Sequence, residues 1–389
     1  MLLSPPQRRL NLVAVTAAMS VTALIYGLSV PLLSLVMHQN GVDSTLIGIS
    51  TAVQSMAIVL ISPFLPPYMA RRGPAILMLG AILVSLVAFL LLPVFTSVPA
   101  WLVLRFAIGA AGSVLWVCGE AWINQVADDS IRGRVVALYS MAVAGGFALG
   151  PLVLSLTGSE GFKPFVLSGS IILLAALPLL SILHVSPRMD GERVGGLLHY
   201  LWVAPVAMLL CSLFAVADGI LLTFLPLYGL ERGLSEPQAL YLITLMGIGG
   251  IVGQLPIGWL ADRMERMLLA AVCTLLVGIA CLAMPLVLAN APWNLLFMLV
   301  YGSILSGIYT IAMVIIGDRF RGADLAAASA LFGVMWGSGS ILGPPIGGLA
   351  MHYYPPHGMP LALAALFFAV LPFPAIAGLR RRRRSARGD

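Results

Sequence analysis

Three ionisable residues stand inside long apolar runs: Arg105 and Glu120 in WLVLRFAIGAAGSVLWVCGEAW, and Asp218 in FAVADGILLTFLP. A charge in hydrocarbon is expensive, so such residues face a partner, a cavity or a proton path. Asp218, beside Gly219 and eight residues before Pro226, is a carboxylate placed to take up and release a proton. A structural pair with a neighbouring helix and direct contact with a solute are the other readings. Arg105, Gly109, Gly112, Trp116 and Glu120 recur at i, i+4, i+7, i+11 and i+15. That spacing lines them along one helical face about 22 Å long. Arg105 is open to three roles: partner of Asp218, contact for an anion, or structural charge. Glu120, followed by Arg132 and Arg134, is expected in an ion-pair network at the helix end, with proton or solute handling as the other reading. Trp122 is expected to anchor that end at the membrane interface.

Neutral polar groups supply a second set. Thr22, Tyr26 and Ser29 share one face of the first apolar run, and Tyr301, Ser303, Ser306 and Tyr309 recur along a later one. Solute cavities offer apolar and aromatic walls with a few such groups. Serine and threonine in apolar helices also bond their own backbone, so only part of this set is expected to meet a solute. Enzyme chemistry finds no footing. There is no GxxxxGK[ST] phosphate loop, the five histidines are peripheral, and no spacing suits a metal or a cofactor.

These side chains need elements to hold them, and the composition says which. With 60% hydrophobic residues, 9% charged residues and a mean hydropathy of +1.03, the chain is an all-α polytopic membrane protein. Cys118, Cys211, Cys273 and Cys281 all lie in apolar runs and read as small packing residues. The first apolar run is too long for the core of a cleavable signal peptide, and a further span follows it at once. At about 20 residues per crossing, twelve transmembrane helices are predicted: 12–37, 45–67, 75–95, 99–125, 134–157, 163–184, 200–229, 236–260, 267–289, 293–316, 325–350 and 358–379. They divide into an N-terminal six-helix bundle at 1–184, a linker at 185–199, a C-terminal six-helix bundle at 200–379 and a basic tail at 380–389.

Charge sets the expected orientation. With the N-terminus inside, 18 of the 21 Lys and Arg residues fall in inner segments, Lys163 and Arg232 fall outside, and Arg105 lies within a span. Both termini are therefore expected in the cytoplasm of a bacterium, with the chain in its inner membrane. The basic tail reads as a membrane-surface feature, with no nucleic-acid partner.

The chain also repeats itself. Gly145, Gly146, Gly150 and Pro151 in AVAGGFALGPLVLS return as Gly339, Gly343 and Pro344 in WGSGSILGPPIGG, 193 positions later. A shift of 192 places Gly27 on Gly219, Gly41 on Gly233 and Arg71 on Arg263. Such register indicates a parallel repeat of six plus six spans. Glycines four apart, Gly249 and Gly253 among them, let helices approach closely.

These repeats and glycine motifs, together with the loops GWLADRMER and PPYMARRGP, resemble those of the major facilitator superfamily. GWLADRMER resembles its Gly-x-Leu-Ala-Asp-Arg-x-Gly-Arg loop through Gly258, Leu260, Ala261, Asp262, Arg263 and Arg266, with Glu265 in place of the second glycine. The first-half counterpart, PPYMARRGP, keeps Arg71 and Gly73 but has Pro66 and Ala70 at the glycine and aspartate positions. Arg105 and Gly109 are similar to an Arg-x-x-x-Gly pattern linked to proton coupling. Gly146, Gly150 and Pro151 are similar to a motif of drug/proton antiporters.

The resemblance implies two six-helix bundles rocking about a central cavity lined by spans 1, 4, 7 and 10. It implies a cytoplasmic gate at Asp262, Arg263, Arg266, Arg71, Arg132 and Arg134, with Asp262 as the tether. It sets span 5 against span 8, glycine to glycine. The expected function is proton-coupled efflux of a small amphipathic compound by a monomer whose partners are the substrate, protons and the bilayer. Proton-coupled uptake of a small, anionic metabolite is the alternative, and a membrane receptor or assembly partner is the reading from another class.

Overall fold

The computed structural model describes the backbone of residues 5–95, 97–128, 132–185, 198–290 and 292–387. Fifteen α-helices and two short 3-10 turns account for nearly all of it, and no strand occurs among the described residues. In hydrocarbon there is no water to satisfy a backbone N–H or C=O, so each crossing must close its hydrogen bonds internally. Among the described residues, eleven stretches are long and apolar enough to cross a membrane. The eleventh predicted span falls in a further helix, Gly322–Tyr353, of 32 residues.

The helices run α1 Pro5–Gln39, α2 Ser44–Ile61, α3 Leu65–Arg72, α4 Pro74–Leu91, α5 Val98–Val126, α6 Arg132–Thr157 and α7 Lys163–Ser181. Then come α8 Leu198–Val203, α9 Pro205–Glu231, α10 Glu236–Ala261, α11 Arg266–Val287, α12 Trp293–Arg319, α13 Gly322–Tyr353, α14 Gly358–Val370 and α15 Pro372–Arg387. The second predicted span is broken after Ile61, where Pro63, Pro66 and Pro67 remove backbone donors. There the Ile58 carbonyl accepts from the Ser62 and Ser113 hydroxyls, at 2.6 and 3.1 Å. Of the linker at 185–199, residues 186–197 lie outside the described ones. The stretch read as a basic tail continues α15 as helix to Arg387; its side chains from residue 380 onward lie outside the described ones.

Two compact units emerge. One comprises Met1–Val36 and Ser50–Arg193; the other comprises Met37–Ile49 and Val194–Asp389. Within each, the repeat read from the sequence becomes a repeat of contacts. In the first unit Gly146 and Gly150 of α6 press on the backbone of α1 near Ser20 and Leu24, and in the second Gly339 and Gly343 of α13 press on α9 near Ser212 and Val216. Gly109 of α5 lies against the Gln54 carbonyl of α2, and Gly302 of α12 lies against the Met246 carbonyl of α10. Each contact in the second unit sits 192 or 193 positions after its counterpart. Gly249 and Gly253 likewise pack on Leu299 and Ser303 of α12. The glycines expected to meet across spans 5 and 8 thus make their close approaches within their own units. Close approach without side chains maximises dispersion contact where no hydrophobic driving force exists between helices.

The ends repeat as well. Gly41 and Gly233, at φ 73° and 83°, end α1 and α9 in the left-handed region. Val42 N–H bonds Met37 O and Leu234 N–H bonds Gly229 O, each at 3.0 Å, the six-to-one closure that a glycine there permits. In the second unit the segment from Met37 to Ile49 lies on α13. Gly48 meets Pro344, the Ser44 hydroxyl donates to Gly348 O at 3.1 Å, and the Asp43 carboxylate shares a hydrogen bond with His352 Nδ1 at 2.7 Å. Partial burial works to raise the Asp43 carboxyl, but hydrogen bonds from Thr45 and His352 outweigh it and hold the group below its ordinary range.

Gly109→Ala and Gly302→Ala should each destabilise the protein by about 1–3 kcal/mol, because a Cβ meets backbone rather than a movable side chain. Gly112→Ala, with open space at that point, should be near neutral; thermal unfolding of the purified protein checks the contrast. Because the folded-state carboxyl of Asp43 is depressed, its contribution is complete above the ordinary carboxylate range and lost as pH falls through the folded value. Amide exchange at 37–49 should therefore stay slow down to about pH 5 and quicken below about pH 4. Asp43→Asn should produce the same quickening at neutral pH, and equal protection in that variant would refute the assignment.

Candidate functional site

In the first unit, α1, α2, α4, α5 and α7 enclose a cavity of about 40 Å³. Thr22, Tyr26 and Ser29 reach it from α1, Gln54 from α2, Ser85 from α4, and Gly109 and Trp116 from α5. Gly109, Gly112 and Trp116 of the predicted α5 face therefore meet the predicted polar face of α1, while Arg105 and Glu120 of that same face are not among the walls. Two hydroxyls there bond their own helix: Thr22 donates to Ala18 O at 2.9 Å and Ser29 to Tyr26 O at 3.1 Å. Phe147 of α6 holds the aromatic wall, stacked on Trp116 and edge-on to Tyr26 at centroid distances of 5.6 and 5.5 Å.

Arg105 stands one turn before Gly109 and is 0% exposed. Its Nη1 donates to the Thr51 hydroxyl at 2.7 Å, and Tyr26 is its electrostatic neighbour. Its Nε and Nη2 have no protein acceptor, nor do Ser50 Oγ and Gln54 Oε1 find a partner on the facing helix. Buried polar atoms without partners are rare and mark sites where something other than packing is conserved by the fold. Thr51 and Gln54 are not among the residues expected from the sequence, where the neutral polar set lies on the first apolar run and a later one. Their signal was present: a carboxamide and a hydroxyl three apart in the apolar run ISTAVQSMAIVL.

In the second unit, Asp218 is half-buried in the middle of α9. Among the described residues its carboxylate makes no hydrogen bond or ion pair, and Tyr301 of α12 is its electrostatic neighbour. Tyr301 is 1% exposed, with its hydroxyl 3.5 Å from Cys281 Sγ and its ring stacked on Phe297. It is a packed partner of α11. Ser306 faces Gly250 of α10, and Tyr309 sits between the rings of Phe214 and Phe332.

Glu120 is exposed at the far end of the α5 face, close enough to act electrostatically on the Tyr139 phenol of α6. Among the described residues, the ion pair of this region joins Arg8 of α1 to Asp128 after α5, at 2.6 Å; the Arg132 side chain lies outside them. Trp122 is 0% exposed and donates from Nε1 to Asn11 Oδ1 at 3.0 Å. It pins α5 to α1 and is no interfacial anchor.

The loop resembling the family signature divides its duties. Asp262 is exposed at the end of α10, with no side-chain hydrogen bond or ion pair among the described residues. Arg263 lies over the Trp259 ring, 3.8 Å from its centroid. Arg266 pairs with Asp318 of α12 and reaches Ala261 O at 3.4 Å, so within this unit Arg266 makes the charged tether. Glu265, in place of the signature glycine, caps α11 by accepting from Leu268 N–H at 2.7 Å. Arg71 and Arg134 are exposed, and the Arg132 side chain lies outside the described ones.

The chain resembles known proteins along nearly its whole length. The Major Facilitator Superfamily profile matches residues 15–321 and 242–388. The chain is 26% identical over 358 residues to the uncharacterized MFS-type transporter YfkF of Bacillus subtilis, covering 86% of this chain and 87% of that one. It is 30% identical over 275 residues to an MFS-type transporter of an Enterobacter strain, Ent638_1421, covering 70% and 71%. Among solved structures, a bacterial homolog of the human lysosomal transporter Spinster has a TM-score of 0.77 at 15% identity, over 97% of this chain and 96% of its own. The nucleoside transporter NupG has a TM-score of 0.74 at 13% identity, over 95% and 98%. At such identities the structural likeness speaks of the fold alone. With helices, internal repeat, loop signature and profile in agreement over almost every residue, the chain belongs to the major facilitator superfamily.

Proposed function

We propose that this transporter exports a small amphipathic organic compound in exchange for protons, as a monomer in the inner membrane of a bacterium with both termini in the cytoplasm. Membership of the superfamily makes it a carrier that works by alternating access. A conformational cycle is driven only by something that interacts differently with its two states. The observation that carries the coupling is Asp218: a carboxylate in mid-span, half-buried, with a buried tyrosine beside it and no cation paired to it among the described residues. A proton on that oxygen removes the charge and with it the cost of closing apolar surface around the site.

Amphipathic cargo is supported by the walls of the first-unit cavity, where aromatic and aliphatic side chains surround a few polar groups. Export is supported by Gly146, Gly150 and Pro151, although their packing on α1 also gives them a structural duty. The inner-membrane location and orientation are supported by the placing of Lys and Arg and by the bacterial relatives.

In proteoliposomes, an imposed pH gradient should drive flux of the compound, and Asp218→Asn should cut gradient-driven flux at least about tenfold while leaving solute exchange at equal pH intact. Glu120→Gln should keep the gradient response. Flux that ignores the gradient, or that keeps it in the Asp218→Asn variant, would remove Asp218 from the coupling role. Cells carrying the protein should accumulate less of the compound than cells without it; more accumulation would reverse the direction.

A further inference from the structure

Arg105 is the feature that the coupling scheme leaves unused. A guanidinium stays charged, and its Nε–H and one Nη2–H point the same way as a parallel pair of donors. In this fold Nη1 is spent on Thr51, while that parallel pair has no protein acceptor. No carboxylate of the first unit pairs with Arg105 among the described residues. Ser50, 0% exposed, and Gln54, 2% exposed, lie on α2 where it faces α5, and each carries an oxygen without a partner. The register is fixed by the contact of Gly109 with the Gln54 backbone, which sets Arg105 against Thr51 one turn earlier. Gln54, Tyr26 and Gly109 then border the cavity of about 40 Å³, whose other walls include Ile58, Phe89 and Trp116.

We propose that the Nε and Nη2 edge of Arg105 seats a carboxylate borne by the transported compound, so that the cargo is an amphipathic organic acid. A carboxylate accepts two parallel N–H bonds from this edge, the strongest and most directional pairing that a guanidinium makes. The Ser50 hydroxyl can donate to a remaining lone pair, and the Gln54 amide, turned over, presents N–H groups on the same side. A volume of about 40 Å³ has room for about three waters, each needing roughly 10–15 Å³ on this measure. It fits a head group and not a whole organic molecule, so the apolar body enters as the walls part during alternating access. This inference rests on the transport reading for its cargo, but the seat itself is a binding property and is tested without flux.

The test is calorimetric titration of the full-length protein in nanodiscs with octanoate and phenylacetate, each against its methyl ester. Wild-type protein should bind the acids at least about tenfold more tightly than the esters. Arg105→Lys keeps the charge but lacks the fork, and should lose that preference. Gln54→Glu places an internal carboxylate beside the same edge; it should raise the unfolding temperature and abolish binding of the acids. This second variant keeps the test decisive if Arg105→Lys does not fold. Equal binding of acids and esters, an unchanged preference in Gln54→Glu, or equal stabilisation by chloride alone would overturn the proposal. Binding of the acids with no flux in proteoliposomes would leave the seat standing and defeat the transport role assigned to it.

Discussion

Every backbone amide and carbonyl of a crossing segment must find its partner inside the chain, and the rest of this structure follows from that constraint. It makes helix the only element of the described residues, and it leaves helix-to-helix attachment to van der Waals contact, because lipid tails solvate leucine as well as another leucine does. Glycine on one helix against backbone on the next answers that need. The pairs Gly109 with Gln54 and Gly302 with Met246, and Gly150 and Gly343 against α1 and α9, are the places where the chain depends on it.

The duplication has kept this packing and let the chemistry diverge. The shift of 192 that superposes glycine on glycine places Tyr26 of the first unit on Asp218 of the second, and a shift of 193 places Arg105 on Met298. Each unit holds a charge inside a span near a tyrosine, of opposite sign: the buried Arg105 near Tyr26, and the half-buried Asp218 near Tyr301. The positive site is fully buried and half satisfied by Thr51, whereas the negative one is partly accessible in mid-span. A permanent cation suits anchoring of an anion, and a titratable carboxylate suits proton exchange. The two halves thus carry charges of opposite sign on equivalent scaffolds.

Around these sites the charged residues are mostly mechanical. Arg8 with Asp128, Asn11 with Trp122, and Arg266 with Asp318 tie helix ends within a unit, and Asp43 with His352 ties the 37–49 segment to α13. Exposure keeps the energetic value of the three charged pairs modest, whereas the Asn11–Trp122 hydrogen bond is buried. What they set is which helix ends move together, and that matters in a carrier whose work is movement.

The sequence by itself determined the membrane class, the twelve spans, the repeat and the intramembrane charges Arg105, Glu120 and Asp218. Hydropathy, charge placement and glycine spacing are one-dimensional consequences of the bilayer and are read without knowing any neighbour. The α5 face from Arg105 to Trp116 was legible for the same reason, since helical periodicity alone sets it. Only the tertiary structure decided who meets whom. Trp122 had the type of an interfacial residue yet is buried on Asn11; Asp262 held the signature position yet Arg266 makes the ion pair; Gln54 and Thr51 carried no charge yet frame Arg105. Partners on separate helices lie dozens of residues apart in the chain. Their meeting depends on the angle and register of helix packing, and those depend on close contacts that no local pattern encodes.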